Sequence, residues 1–355
     1  MEINAYVPGK ATSHDGKKLI KLSANENPLG TSQSVQLARK IPSNAAEYPD
    51  PDSSELRNKI GQIYGLNPDK IICGTGSDEL LNLVAQGFAG PGDEVLFSRY
   101  SFSVYEIASK RCGATPIEAP DRDYATDVDS LLSMVTSKTR VVFVANPNNP
   151  TGTWLGRKEL ERLHSLLPSE VLLVIDQAYG EYLEDDENDG GLELAANYTN
   201  VLVTRTFSKI YGLAGERIGW ATGSDHLIDV LNRIRGPFNV TTSGQLASLA
   251  ALQDQEFVVR SRKHNAEELK LFSARIASLS NYGVRAIPSR ANFLLVLFEG
   301  KVTAFMALKV LEKAGYGVRH LPNQGLGNGL RITIGQRRDM EKIAMILRDL
   351  MEQST

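Results

Sequence analysis

The chain has 355 residues, 42% hydrophobic and 23% charged, with a formal net charge of -3, the balance of a packed globular protein of roughly two domains. No basic block or stripe stands out, so the charge pattern argues against nucleic acid or an anionic membrane and favours small-molecule partners. Cys73 and Cys112 cannot build a disulfide framework and read as core thiols of a reducing compartment, while His14, His164, His226, His264 and His320 lack any metal-ligand spacing, so no metal is expected.

Residues 1–10 lack the apolar core of a signal peptide and the longest apolar runs are of strand length, so a cytosolic protein is expected. The first thirty residues, ending in Asn25-Glu26-Asn27-Pro28-Leu29-Gly30, read as an arm and turn. Strand-length apolar runs then follow at Lys70–Cys73, Glu94–Phe97, Thr115–Ile117, Val141–Ala145, Val171–Ile175, Val201–Thr204 and Ile218–Ala221. Between them lie helical segments at Asp78–Phe88, Tyr105–Arg111, Val128–Val135 and Lys158–Leu167. The runs are continuously apolar, as for strands buried on both faces, and the alternation predicts an α/β domain over 31–238, a mainly parallel central sheet flanked by helices. Glu184–Gly191, acidic with paired glycines, reads as a solvated surface loop.

After Arg235-Gly236-Pro237-Phe238-Asn239 the pattern changes, and Gly236-Pro237 marks an expected hinge. A helical stretch from about Ser243 to Leu279, strands at Phe293–Phe298, Gly317–His320 and Leu330–Ile334, and a helix at Asp339–Met351 predict a smaller α+β domain over 239–355, with the arm 1–30 packed on it.

In an open parallel sheet the chemistry belongs in the crevice beyond the carboxyl ends of the strands. The run Val201–Val203 leads to Lys209, with hydroxyls at Thr206 and Ser208 and with Gly212-Leu213-Ala214-Gly215-Glu216-Arg217 behind it. Desolvation and a nearby cation such as Arg217 lower an amine's pKa and leave a neutral fraction able to form a Schiff base. Cys73 leads into Gly74-Thr75-Gly76-Ser77-Asp78-Glu79, where Gly76 permits close approach and a helix start offers free amides to a phosphate. Neither the dinucleotide nor the nucleoside triphosphate glycine spacing is present, so the phosphate belongs to another ligand. Asn146-Pro147-Asn148-Asn149-Pro150-Thr151-Gly152 is a turn whose amides can bond a ring oxygen. Asp176 ends a buried strand with Tyr179 three residues on; taken alone it could cap a helix or hold magnesium. Together, a Schiff-base lysine, a strand-end aspartate, a phosphate cradle and an arginine meet the needs of pyridoxal phosphate. Asp176 would pair with the ring nitrogen and Tyr179 and Asn149 with the phenolic oxygen, while Arg217, Thr206 and Ser77-Asp78-Glu79 take the phosphate.

Asn146–Gly152, Asp176-x-x-Tyr179 and Thr206-Phe207-Ser208-Lys209 with Gly212-Leu213-Ala214-Gly215-x-Arg217 resemble the fold type I aminotransferases of the aspartate aminotransferase superfamily. Within it, Ala5–Lys10, Ala24–Gly30, Glu47-Tyr48-Pro49-Asp50 and Leu330–Gly335 are similar to histidinol-phosphate aminotransferases, along nearly the whole chain. The resemblance implies a homodimer with shared sites in which Tyr48 reaches the cofactor phosphate of the other subunit. It also implies that Phe102 stacks on the cofactor ring, in place of a tyrosine common in the family. Arg331 would fork onto the carboxylate of the amino donor, and Arg319 would lie near the substrate's distal anion. Tyr6 and Asn25 match N-terminal substrate contacts, with a structural arm as the alternative.

The implied reaction is ping-pong exchange of an amino group between glutamate and 2-oxoglutarate on one side and histidinol phosphate and imidazole-acetol phosphate on the other. Three other readings remain at this stage. One is an aromatic amino acid aminotransferase, and another a lyase resembling threonine-phosphate decarboxylase. The third, a cofactor-binding regulator, lacks the chain length and basic helix for a DNA-binding domain.

Overall fold

The computed structural model describes residues 3, 9, 12, 15–40 and 45–354, apart from the side chain of Asp185. Among the described residues thirteen strands run in chain order: β1 (Ile20–Lys21), β2 (Ile71–Gly74), β3 (Glu94–Ser98), β4 (Thr115–Ala119), β5 (Thr139–Ala145), β6 (Leu172–Asp176), β7 (Val201–Thr206) and β8 (Gly219–Gly223), then β9 (Val284–Ile287), β10 (Phe293–Phe298), β11 (Tyr316–Gly317), β12 (Arg319–Leu321) and β13 (Leu326–Thr333).

Seven of them form the large sheet, in the order β2-β8-β7-β6-β5-β3-β4. Strands β3 to β7 pair in parallel, joined by crossover helices including Val104–Cys112, Val128–Ser133 and Arg157–Leu166. The inner strands β3, β5, β6 and β7 are buried on both faces, which is why their runs lack polar alternation: Val142, Val144, Leu173 and Val203 pack on one side, and Val141, Phe143, Val174 and Leu202 on the other, while the edge strand β4 is partly exposed. The run at Ile218–Ala221 departs from the expectation of a parallel strand. It becomes β8, antiparallel to both β2 and β7, because the Thr206–Ile218 connection is a tight loop with no crossover helix to return the chain.

The expected helix over Ser243–Leu279 is two helices, Thr242–Gln253 and Gln255–Ala277, broken at Asp254, whose carboxylate caps the second by accepting from the Phe257 amide. Ala247, Ala250, Ala251 and Leu252 of the first helix join Val35, Leu56, Ile60 and Trp220 in the core of the large sheet, whereas Phe272 and Ile276 of the second belong to the small-domain core with Val296, Leu330 and Leu347. The two apolar clusters share the longer helix, with Val258 in the first and Phe272 and Ile276 in the second. The small domain carries an antiparallel sheet ordered β12-β13-β10-β9; the expected strand at Gly317–His320 is split between this sheet and a two-residue ladder of β1 with β11 that ties the N-terminal segment to the domain.

Glu184–Gly191 is not simply solvated. Asp189 is 1% exposed and accepts from Gln177 Nε2, Asn146 Nδ2 and the Gly191 amide. Cys73 is buried, which pushes its thiol up to about 12, while Cys112 is only half-buried at a helix end. Among the described residues no helix is long and apolar enough to cross a membrane.

Candidate active site

The carboxyl ends of β5, β6 and β7 open onto a cleft of ≈ 220 Å³ whose lining includes Lys209, Asp176, Tyr179, Asn149, Phe102 and Arg331. At its floor Asp176 is 3% exposed. Its Oδ2 accepts from the Tyr105 hydroxyl at 2.9 Å and its Oδ1 from Thr204 Oγ1 at 3.0 Å. Burial pushes the carboxyl up to about 6 in spite of those two donors, which hold it down. A buried carboxylate so poised favours a cationic partner, such as a protonated ring nitrogen.

Lys209 lies in the loop after β7. Its Nζ donates to the Ala24 carbonyl oxygen at 3.3 Å and stands 5.8 Å from the centre of the Tyr179 ring. Desolvation lowers the ammonium to about 8, and the charge of Arg331 contributes more than that of Arg217. At pH 7 about a tenth of the amine is then neutral, against well under a thousandth for an ordinary lysine at 10.5.

At one end of the cleft the helix Ser77–Phe88 begins at Gly76, with φ +80°. A Cβ at Gly76 would lie 2.7 Å from Arg217 Nη2, and one at Gly219 only 2.3 Å from the Ser77 amide nitrogen, so these two glycines keep the helix start and the arginine close together. Arg217 holds φ +55°, an uncommon backbone for a side-chain-bearing residue, and its Nη1 donates to Ser208 Oγ at 3.2 Å while Nη2 lies 3.5 Å from Asp78 Oδ2. Thr206, Ser208, Ser77 and Arg217 thus surround one small volume of donors suited to a phosphate. Glu79 faces elsewhere: its Oε2 accepts from the Thr75 amide at 2.5 Å and Asn239 Nδ2 at 2.9 Å, so it braces the turn outside the cleft.

Arg331, 8% exposed on β13, donates from Nη1 to Asn149 Oδ1 and from Nη2 to the Ser23 carbonyl oxygen at 2.8 Å. With that oxygen engaged, Asn149 keeps its Nδ2 as the donor for a ring oxygen. Asn25 is buried at φ +58° and donates from Nδ2 to the Tyr179 hydroxyl at 2.8 Å. Phe102 lines the cleft. Arg319 does not; it lines a second cleft, ≈ 440 Å³, that adjoins the first at Phe102. Tyr48 is exposed and stacks on Phe238 at 4.4 Å. Tyr6 lies outside the described residues.

Neither Tyr105 nor Thr204, the two donors on Asp176, was expected from sequence to hold that carboxylate. Thr204 had a signal: it lies opposite Asp176 in the β6–β7 register, so its side chain emerges on the same face. The residues fit pyridoxal phosphate on the structure's own terms: a partly neutral amine for its aldehyde, a buried carboxylate for its ring nitrogen, and a glycine-lined cradle for its phosphate. Fold and cleft together define a fold type I transferase of the pyridoxal-phosphate class.

The sequence profile of the aminotransferase class I and II family matches residues 17–347. The histidinol-phosphate aminotransferase of Erythrobacter litoralis is 64% identical over 350 residues, 99% of this chain and 95% of that protein. The enzyme of the same name from Sphingopyxis alaskensis is 57% identical, with 98% and 94% covered. The crystal structure of histidinol-phosphate aminotransferase from Sinorhizobium meliloti in complex with pyridoxal-5′-phosphate superimposes with a TM-score of 0.86 at 27% identity, covering 96% of this chain and 93% of that one. The chain belongs to the histidinol-phosphate aminotransferase family within the class I and II aminotransferases.

Proposed function

We propose that this protein is a pyridoxal-phosphate-dependent aminotransferase of histidine biosynthesis, exchanging an amino group between L-histidinol phosphate or imidazole-acetol phosphate and glutamate or 2-oxoglutarate. The observation that carries the reading is the meeting of a lysine lowered to about 8 and a buried aspartate in one cleft bordered by a phosphate cradle. Pyridoxal phosphate, when bound, supplies an aldehyde that condenses with amines and a protonated pyridine ring that draws off the electrons left at a deprotonated carbon.

The chain's own residues do the rest. Asp176 keeps the proton on the ring nitrogen, and Tyr105 and Thr204 keep Asp176 ionised for that task. Tyr179 and Asn149 hold the ring oxygen. Arg217, Thr206, Ser208 and the amides of Ser77 and Asp78 hold the phosphate, Glu79 and Gly76 shape that turn, and Phe102 covers a ring face. Lys209 would hold the cofactor's aldehyde and, with its amine partly neutral, would serve as the base that moves the proton at the substrate's α-carbon. Arg331 binds the carboxylate of glutamate, and Arg319, one cleft away beyond Phe102, meets the far anion of the longer substrate. Closing of the smaller domain excludes water during the proton transfer. The working unit is a cytoplasmic homodimer in which Tyr48 serves the partner's phosphate site, consistent with its exposure in the single chain.

Single-turnover reaction of the pyridoxamine form with imidazole-acetol phosphate, phenylpyruvate and oxaloacetate tests the assignment. Imidazole-acetol phosphate is expected to react fastest. A much faster reaction with phenylpyruvate would move the protein to the aromatic amino acid aminotransferases, and release of carbon dioxide from the amino substrate would make it a lyase.

A further inference from the structure

A second polar array crosses the same strand ends on the side away from the cleft. Side chains on a strand alternate faces, so with Thr204 and Thr206 turned toward the cleft, Arg205 between them turns away. Its guanidinium lies over the Tyr64 ring at 4.9 Å and near Trp220 at 6.0 Å, donates from Nε to Gln177 Oε1 at 2.9 Å, and places Nη1 3.3 Å from Glu181 Oε1. The chain of bonds runs on in both directions. Gln177 Nε2 donates to Asp189 Oδ1 at 2.5 Å, and Asp189 Oδ2 accepts from Asn146 Nδ2 at 2.8 Å. Glu181 Oε1 also accepts from the Tyr64 hydroxyl at 3.0 Å, and that hydroxyl lies 2.7 Å from the hydroxyl of Tyr211.

Four anchors of this chain are close sequence neighbours of cleft residues. Asn146 directly follows β5, three residues before Asn149, Gln177 follows Asp176, Glu181 comes two residues after Tyr179, and Tyr211 comes two after Lys209. None of the anchors lines the cleft itself. The array is also tightly seated: a Cβ at Gly191 would lie 2.6 Å from Gln177 Nε2, and one at Gly180 would lie 3.4 Å from Arg205 Cζ. The Arg205 and Glu181 side chains are only 11% and 5% exposed. Burial is the largest single influence and works against the Arg205 cation, but Glu181 together with Tyr64, Asp189 and Tyr211 outweighs it and keeps the guanidinium charged. A buried ion pair often adds little to stability over an apolar core, and here the planar fork fixes one spacing between the two partners on the β6 side.

We propose that Arg205, with Asp189 as its relay to β5, is a positioning residue for transamination: from behind the sheet it sets Asp176 and Tyr179 against Lys209 without touching cofactor or substrate. The proposal rests on the reading of Lys209 and Asp176 given above. Three variants test it, Arg205→Gln, Arg205→Lys and Asp189→Asn, each followed by kcat, KM, and the pH midpoint of cofactor capture by the cofactor-free protein, which reports the Lys209 amine. Arg205→Gln is expected to lower kcat by about 10- to 100-fold, the cost of a misplacement of ångström size, with KM within about threefold. The capture midpoint should move by at least about 0.5 unit, since the distance from Lys209 to its charged neighbours changes. Arg205→Lys should recover only part of the loss, because a point charge cannot serve Gln177 and Glu181 together. Arg205→Gln combined with Asp189→Asn should cost less than the product of the two single effects, as both break one chain.

If Arg205→Gln does not fold, Asp189→Asn, which keeps the side-chain shape, carries the test alone. A folded Arg205→Gln, or failing it Asp189→Asn, with wild-type kcat and an unmoved capture midpoint overturns the proposal, as does a loss confined to Tm. Failure of borohydride to fix the cofactor at Lys209 in the wild-type protein would instead sink the functional reading beneath it.

Discussion

Replacing Tyr105 by phenylalanine isolates the electrostatics of Asp176. The ring is fully buried and stacks on Phe143 at 4.7 Å, so phenylalanine keeps the packing and removes only the donor 2.9 Å from Asp176 Oδ2. Asp176 has its carboxyl raised from 3.8 to about 6. A carboxyl raised on folding favours the native state at low pH, and that advantage is lost as pH climbs through the folded value. In the cofactor-free protein the group therefore withdraws about 3 kcal/mol of stability between pH ~4 and ~6, at 1.36 kcal/mol per unit. The hydroxyl bonds the charged form more strongly than the neutral one, ~1.5–3 against ~0.5–1.5 kcal/mol. Its loss should carry the carboxyl up by about one further unit, to roughly 7, and extend the window of lost stability to that pH. Urea unfolding of cofactor-free wild type and Tyr105→Phe at one protein concentration, at pH 5 and pH 8.5, reads this directly. The variant should be ~0.5–1.5 kcal/mol less stable at pH 5 and ~1.5–3 kcal/mol less stable at pH 8.5. An equal deficit at both pH values would show that the hydroxyl does not hold the carboxylate, and the assignment of Tyr105 would fall.

Lys209→Ala should abolish turnover while leaving the circular dichroism spectrum and unfolding midpoint close to wild type; retained turnover would remove Lys209 from its assigned role. The rate of cofactor capture by the cofactor-free protein should rise with pH to a midpoint near 8, and Arg331→Met should shift that midpoint upward by removing the largest charge that depresses the amine. Gly76→Ala should weaken cofactor binding by at least about tenfold, measured by equilibrium dialysis, because its Cβ would lie 2.7 Å from Arg217 Nη2 and displace a charge-assisted donor. Mixing Tyr48→Ala with Lys209→Ala subunits should restore up to about a quarter of the sites' activity after unfolding and reassembly, because one hybrid site regains both groups; no recovery would place Tyr48 outside the partner's site.

The large sheet was legible because four adjacent strands, β3, β5, β6 and β7, are buried on both faces and announce themselves as largely apolar runs. Strand direction was not: Gly219–Gly223 has the composition of a parallel strand, and only the short return from Thr206 makes β8 antiparallel. The break at Asp254 was missed because both helices carry apolar residues at helical spacing and the junction is one residue long. In the cleft, Lys209, Asp176, Tyr179, Asn149 and Arg217 were readable from strand ends and motif spacing, and the coordinates bring them together. Glu79 was assigned by its place in the phosphate turn and Arg319 by the family resemblance; side-chain direction sends Glu79 to brace Thr75 and Asn239, and Arg319 lines the neighbouring cleft. The bonds of Tyr105 to Asp176 and of Asp189 to Gln177 and Asn146 were not foreseen because those partners lie 71, 12 and 43 residues away, a relation no local pattern carries.

The stretch from Ser23 to Asn27 runs beside the reactive lysine as well as the small domain. Its carbonyls receive Lys209 Nζ, Arg331 Nη2 and Asn292 Nδ2, and its asparagines reach Tyr179, Thr333, Ile210 and Ser261. Anyone handling this protein in the laboratory should therefore regard residues 23–27 as part of the reactive machinery. A cleavage within them would disturb chemistry while the hydrophobic interior stayed whole.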